Sequence, residues 1–245
     1  MKRGYRIAWV GFLVFAAGFV CWRSLQSPDR ALHRHAVTRR EVATRVLGQY
    51  LAAQFPGRQV LVASNPFTQR PGRPDSVVAF EASGIRGLKA GWGDRLQLLG
   101  IAFPELNPDA AANPGAVLMD SQSATPLSFL TTETAWDKML KAHAGADIVV
   151  SLIGVPVNLT TLEIWRAPKP SLALLLPDLR MIGDTAALRQ AFARGKLAAV
   201  VLNRPGAPPE TVPMNKDASA EFEARFLLVT RENLEDLLRL FPQAF

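Results

Sequence analysis

Eight residues in this chain have the chemistry and the placement to form a ligand site: Asn65, Thr68, Glu105, Asn158, Asp178, Arg180, Asn203 and Arg204. Asparagine and aspartate offer hydrogen-bonding edges to hydroxyls and amides, and arginine clamps a carboxylate or phosphate through parallel N–H donors. They follow apolar runs of strand length at Gln59–Ala63, Leu96–Phe103, Asp147–Ile153, Leu172–Leu176 and Leu197–Leu202. In an open α/β sheet, ligands bind beyond the carboxyl ends of the strands, where strand order reverses. These eight are therefore expected to converge on one cleft. The competing reading is that Asn, Asp and Pro stand there because turns favour them.

Other chemistries lack their parts. Dinucleotide binding needs a glycine-rich turn directly after a strand, and the first strand runs instead into Asn65-Pro66-Phe67-Thr68, where Pro66 removes a donor. Gly84, Gly87, Gly91 and Gly93 come late in a helical pattern and read as its termination. No G-x-S-x-G elbow exists, and His143, at a helix end, is the only histidine beyond the N-terminal region. The one cysteine, Cys21, lies in an apolar run, so neither a thiol nucleophile nor a zinc site is expected. No metal and no cofactor is implied, although Glu105 or Asp178 has the carboxylate that magnesium takes. Asn158-Leu159-Thr160 matches the glycosylation pattern, which is frequent by chance.

The elements that must carry these residues alternate. Helical patterns over Asp75–Ala90, Thr132–His143, Asp184–Arg194 and from Thr230 to Pro242 separate the strands, and Phe222–Val229 reads as a sixth strand. Thr38 and Glu41 form a capping-box pair that would start a first helix running to Phe55. Runs such as IVVSLI and LAAVVL show no polar alternation, as strands buried on both faces do. The expected fold is α/β: a doubly wound, mostly parallel open sheet of about six strands with helices on both faces. Pro104–Thr131 and Arg204–Ala220 are long connections, suited to lids or binding loops. Trp136 and Trp165 should pack on the sheet, whereas Trp92, between two glycines, is open to a binding role.

Net charge is +7, and it has an address. Residues 1–40 hold eight basic side chains and one acid, Asp29, while the remaining 205 residues balance. That excess flanks the uncharged run Ile7–Trp22, where lipid headgroups are the expected partner and nucleic acid is not. Sixteen helical residues span about 24 Å, and Tyr5, Arg6, Trp22 and Arg23 extend the reach toward both headgroup layers. The organisation expected is a membrane anchor over 1–23, a basic linker over 24–37, and one α/β domain over 38–245. A cleaved export signal is the alternative for the first segment. Lys2, Arg3 and Arg6 crowd before the run, which favours a single-pass protein with its domain outside the cytoplasm. Five basic residues beyond the run argue the opposite.

The phrase Gly145–Pro156, helix end to strand to Gly-Pro turn, resembles the α/β lobes of type I periplasmic binding proteins. The whole chain is similar to uncharacterised membrane-anchored bacterial proteins that share NPFT, LLLPDLR and an RFLLVT-type strand. The resemblance carries no known activity; the lack of a paired nucleophile and base in the sequence favours a module displayed from the membrane that binds a small polar ligand or a partner protein without catalysis. One departure counts against transport: those binding proteins have two lobes, and this domain has length for little more than one. The alternatives are a hydrolase-type enzyme using Asp178 or Glu105 as acid or base, and a structural part of a cell-envelope assembly.

Overall fold

A computed structural model describes residues 28–118, 123 and 125–245. The expected anchor, Ile7–Trp22, lies outside the described residues, and among those described no helix is long and apolar enough to cross a membrane.

The first helix, α1, spans Pro28–Gln54, beginning well before the expected Thr38. Proline at the first helical position forfeits no bond, because that N–H has no intrahelical partner. Thr38 is therefore mid-helix, and its hydroxyl donates back to the Arg34 carbonyl at 2.9 Å. Glu41 pairs with Arg45 and Arg86 instead of capping. The stretch read as a linker is thus helical from Pro28 onward.

After α1 come β1 (Gln59–Ala63), α2 (Asp75–Trp92), β2 (Gln97–Ala102), α3 (Pro108–Ala112), α4 (Ala135–Ala142) and β3 (Ile148–Ser151). Then follow α5 (Glu163–Arg166), β4 (Ser171–Leu175), α6 (Thr185–Ala193), β5 (Leu197–Asn203), α7 (Ala218–Arg225), β6 (Phe226–Val229) and α8 (Leu234–Leu240). The strands form one sheet in the order β2-β1-β3-β4-β5-β6. The first five run parallel.

The sixth strand runs antiparallel to β5, with Asn203 opposite Phe226. Part of what reads as strand, from Phe222, is helical in α7, and that helix is only about 12 Å long. It does not carry the chain back across the sheet, so β6 starts at the edge where β5 ends.

Strands apolar on both sides are covered on both sides. On one face, Val42, Leu47 and Leu51 of α1, Leu88 and Trp92 of α2 and Phe222 of α7 pack on Val60, Val62, Val150, Ala173 and Val201. On the other, Trp136 and Met139 of α4, Leu188 and Phe192 of α6 and Leu234 of α8 pack on Leu61, Val149, Leu174 and Leu202. Trp92 is 4% exposed and packs in the core below the turn that ends α2.

The glycine cluster also reads differently in three dimensions. Only Gly93 ends the helix, at φ 55° with its N–H on the Lys89 carbonyl. Gly84, Gly87 and Gly91 lie within α2 on the side that meets α1. A Cβ on Gly87 would stand 2.1 Å from Thr44 Oγ1 and 2.3 Å from the Glu41 carbonyl oxygen. One on Gly91 would stand 2.2 Å from the Arg45 carbonyl oxygen, and one on Gly48 of α1 2.6 Å from that of Leu88. These helices touch backbone to backbone, which only residues without a side chain permit.

Gly87→Ala must therefore push α1 and α2 apart, and overpacking of this kind costs about 1–3 kcal/mol. Gly115→Ala, which meets only Asn113 Oδ1 at 3.5 Å, is expected to stay within about 0.5 kcal/mol of the parent in urea denaturation.

Candidate functional site

The chain leaves β1 for β2 on one side and later places β3 on the other, so strand order reverses between β1 and β3. A cleft of about 460 Å³ opens at this point, beyond the carboxyl ends of β1, β3 and β4. Asn65, Thr125, Ile153 and Leu176 come from the loops and strand ends, Phe80 and Glu81 from α2, and His33 and Arg40 from the early part of α1.

The floor is a buried charge pair. Arg40 Nη2 donates to Glu81 Oε1 at 2.8 Å and to the Leu152 carbonyl at 2.9 Å. Ser64, just past β1, donates to Glu81 Oε2 at 3.0 Å. The guanidinium carbon stands 4.3 Å from the Phe80 ring centre, a cation–π distance. Arg40 and Glu81 are 9% and 5% exposed. Burial pulls the Arg40 pKa below its ordinary value, with Glu81 opposing that pull. Arg40 Nε is buried without a hydrogen-bond partner, and Nη1 donates to no described group. The cleft thus has a fixed cation neutralised from below, an aromatic wall, and Asn65 and Thr125 as neutral polar groups. That combination suits a small amphipathic or polar ligand.

The eight expected residues do not converge there. Asn65 lines the cleft, and its Oδ1 accepts the Phe67 N–H at 2.9 Å to cap a short 3-10 turn. Thr68 is buried and donates to the Asn65 carbonyl at 2.7 Å, holding that turn. Asn203 and Arg204 line a second cleft of about 330 Å³ beyond β4 and β5. Arg204 there lies 5.0 Å from the Phe241 ring centre and donates to the Glu223 carbonyl at 2.8 Å. Glu105 is exposed and paired with Lys138 at 2.9 Å. Asn158 donates to the Glu133 carbonyl at 3.0 Å and lines neither cleft.

Asp178 caps the next turn and is gripped by Arg180. Arg180 Nε donates to Oδ1 at 2.9 Å, Nη2 to Oδ2 at 2.6 Å, and the Arg180 N–H to Oδ1 at 3.1 Å. Those Arg180 side-chain bonds, opposed by burial and helped by Ser123, hold the Asp178 carboxyl below its ordinary value. Neither Asp178 nor Glu105 lines the first cleft.

Sequence reasoning missed Arg40, Phe80 and Glu81. Arg40 was counted with the charges flanking the apolar run. Glu81 did carry a signal: it stands four residues before Ile85, seven before Leu88 and eleven before Trp92, a helical stripe that faces the core. An acid on such a stripe demands a buried partner.

No family model matches the chain, and no curated protein matches it. Solved structures give a likeness of fold: the chain is similar to a lobe-like portion of type I sugar periplasmic binding proteins. A carbohydrate transporter solute-binding protein from Agrobacterium radiobacter, in complex with D-arabinose, is 13% identical, with a TM-score of 0.44 over 80% of this chain and 61% of that one. An arabinose-binding protein from Geobacillus stearothermophilus is 10% identical, with a TM-score of 0.42 over 81% and 62%. A sugar transport substrate-binding protein from Bordetella parapertussis is 15% identical, with a TM-score of 0.38 over 66% and 41%. The chain spans between 41% and 62% of the length of these three relatives. At such scores the likeness says nothing of what is bound.

Glu81→Ala leaves the Arg40 cation buried and unpaired, and urea denaturation should show a loss of about 3–5 kcal/mol. Glu105→Ala breaks only an exposed pair and should cost less than about 1 kcal/mol. The lowered Asp178 pKa means that its stabilisation is present above the ordinary carboxylate value and is lost as pH falls through the native one. The stability gap between the parent and Asp178→Asn should therefore shrink as pH falls from about 6 toward about 3.

Proposed function

We propose that this chain is a membrane-anchored, non-catalytic binding module that takes a small polar ligand or a segment of a partner protein in the cleft between β1 and β3. One observation carries the reading. The point of strand reversal holds a cleft of ligand size, floored by a buried arginine whose charge Glu81 already neutralises and whose Nη1 donates to no described group. A neutralised floor favours hydroxyl, amide or zwitterionic ligands over a bare dianion. The Phe80 and Ile153 walls add apolar contact. The apolar run Ile7–Trp22 supplies the anchor, and the crowding of Lys2, Arg3 and Arg6 before it favours a domain held outside the cytoplasm.

Two features support binding without turnover: Glu81, the carboxylate that lines the cleft, is committed to Arg40 and Ser64, and Asp178 is committed to Arg180. The test is a thermal-shift screen of the full chain in detergent against sugars, amino acids and nucleotides. A ligand at a hundred times its Kd stabilises by about 2.7 kcal/mol, on the order of 5–10 °C for a domain of this size. The expected result is such a shift, abolished by Asn65→Ala and Phe80→Ala, with the compound recovered intact. Turnover lost in Asp178→Asn would favour the enzyme instead, and a flat screen would favour a structural role in an envelope assembly.

A further inference from the structure

The polar groups around the cleft between β1 and β3 are unequal in what they have left to offer. Arg40 is 9% exposed. Its Nη2 is spent on Glu81 and on the Leu152 carbonyl. Its Nε is enclosed, 3.0 Å from where a Cβ on Gly84 would stand, and Phe80 covers the face of the guanidinium. Only Nη1 remains. It donates to no described group and, unlike Nε, is not sealed off, so its N–H bonds are what Arg40 presents to a ligand.

Asn65 offers the same chemistry. Accepting the Phe67 N–H fixes its Oδ1 in the capping position, which leaves Nδ2 for the cleft, and Nδ2 donates to no described group. Asn65 follows Ser64, which holds the same Glu81 carboxylate as Arg40, so the two sets of donors belong to one end of the cleft. The acceptors are engaged. Glu81 Oε1 takes Arg40 and Oε2 takes Ser64, while the Thr125 hydroxyl shares a hydrogen bond with that of Ser128 at 2.9 Å. His33 and Ser76 lie nearer solvent and can serve either way. The rest of the lining is apolar, with Val77, Phe80, Leu127 and Ile153 among it.

A matching ligand brings acceptors, few donors and an apolar body. A sugar brings a donor with every hydroxyl, and each one buried without an acceptor is penalised. A carboxylate on Nη1 would stand beside that of Glu81, and one cation cannot balance two buried anions. An ammonium group would meet donors head-on. We propose that the cleft takes an uncharged carbonyl compound with an apolar body, its oxygen accepting from Arg40 Nη1 and Asn65 Nδ2. Lactams, acylated amines, ketones and lactones share that chemistry. This ligand class rests on the binding reading above.

The test is saturation-transfer NMR on the full chain in lipid nanodiscs, with empty nanodiscs to subtract partition into lipid. The probes are ε-caprolactam, cyclohexanone, cyclohexanecarboxylate, cyclohexylammonium and D-arabinose, all small and water-soluble. The lactam and the ketone are expected to bind about tenfold tighter than the other three. Asn65→Asp keeps an oxygen for the Phe67 N–H but loses the donor, and should weaken the lactam about tenfold without lowering Tm. Phe80→Ala should abolish its binding. If the carboxylate, the ammonium or D-arabinose binds tightest and is lost in Phe80→Ala, the ligand class is overturned and the cleft reading stands. Lactam binding that Asn65→Asp leaves unchanged while Phe80→Ala abolishes it has the same consequence. Binding indifferent to Phe80→Ala overturns both, and silence from every probe overturns the carbonyl class.

Discussion

Burying one cation organises the carboxyl edge of this domain. Arg40 leaves water on folding, and an uncompensated guanidinium in that position would cost several kcal/mol. Compensation arrives from three directions: Glu81 of α2, the Leu152 carbonyl after β3, and the face of Phe80. Ser64, after β1, completes the shell by holding the second oxygen of Glu81. Two helices and two strand ends must therefore meet at one place, and that place is where strand order reverses.

The glycine stripe makes this meeting possible. With Gly48, Gly84, Gly87 and Gly91 between them, α1 and α2 approach until backbones touch, which brings Glu81 within reach of Arg40. Gly84 does double duty: a Cβ there would stand 3.0 Å from Arg40 Nε, so the same absence of side chain leaves room for the guanidinium. The neighbouring residue, Arg39, turns to the other flank of α1. It donates to Glu221 of α7 at 3.1 Å and to carbonyls of the proline-rich loop, while Arg225 grips the same carboxylate from within α7. Two adjacent arginines thus clamp α1 from both sides. The loop after β5 is fastened by buried charge and does not have the loose attachment of a lid.

Much of this architecture was legible in the sequence, for physical reasons. Strands without polar alternation announced a doubly covered sheet, and five of the six lie close to their expected bounds, because burial on both faces leaves a continuous apolar run. What failed was anything decided by a distant partner. The Thr38–Glu41 pair has the chemistry of a cap, yet the chain before it continues as helix and Glu41 finds Arg86. Gly84, Gly87 and Gly91 read as a stop until another helix is laid against them. The rule of strand ends located the correct edge, but turn chemistry claims most of the residues found there. Thr68 and Asp178 hold turns, Asn65 both caps a turn and lines the cleft, and Asn203 with Arg204 forms a separate hollow. Arg40 stands in sequence beside the basic residues that flank the apolar run, and only the fold brings Glu81 to it.

The proposed ligand site lies between the carboxyl ends of β1 and β3, over the Arg40–Glu81 pair. Its most direct measurement is backbone amide chemical-shift mapping of the full chain in detergent micelles, titrated with the compound that stabilises it most in the screen. The largest perturbations are expected on Asn65, Phe80, Glu81, Thr125, Ile153 and Leu176. Perturbations centred instead on Asn203 and Arg204, or on the turn at Gly93–Arg95 beneath the opposite edge, would contradict it.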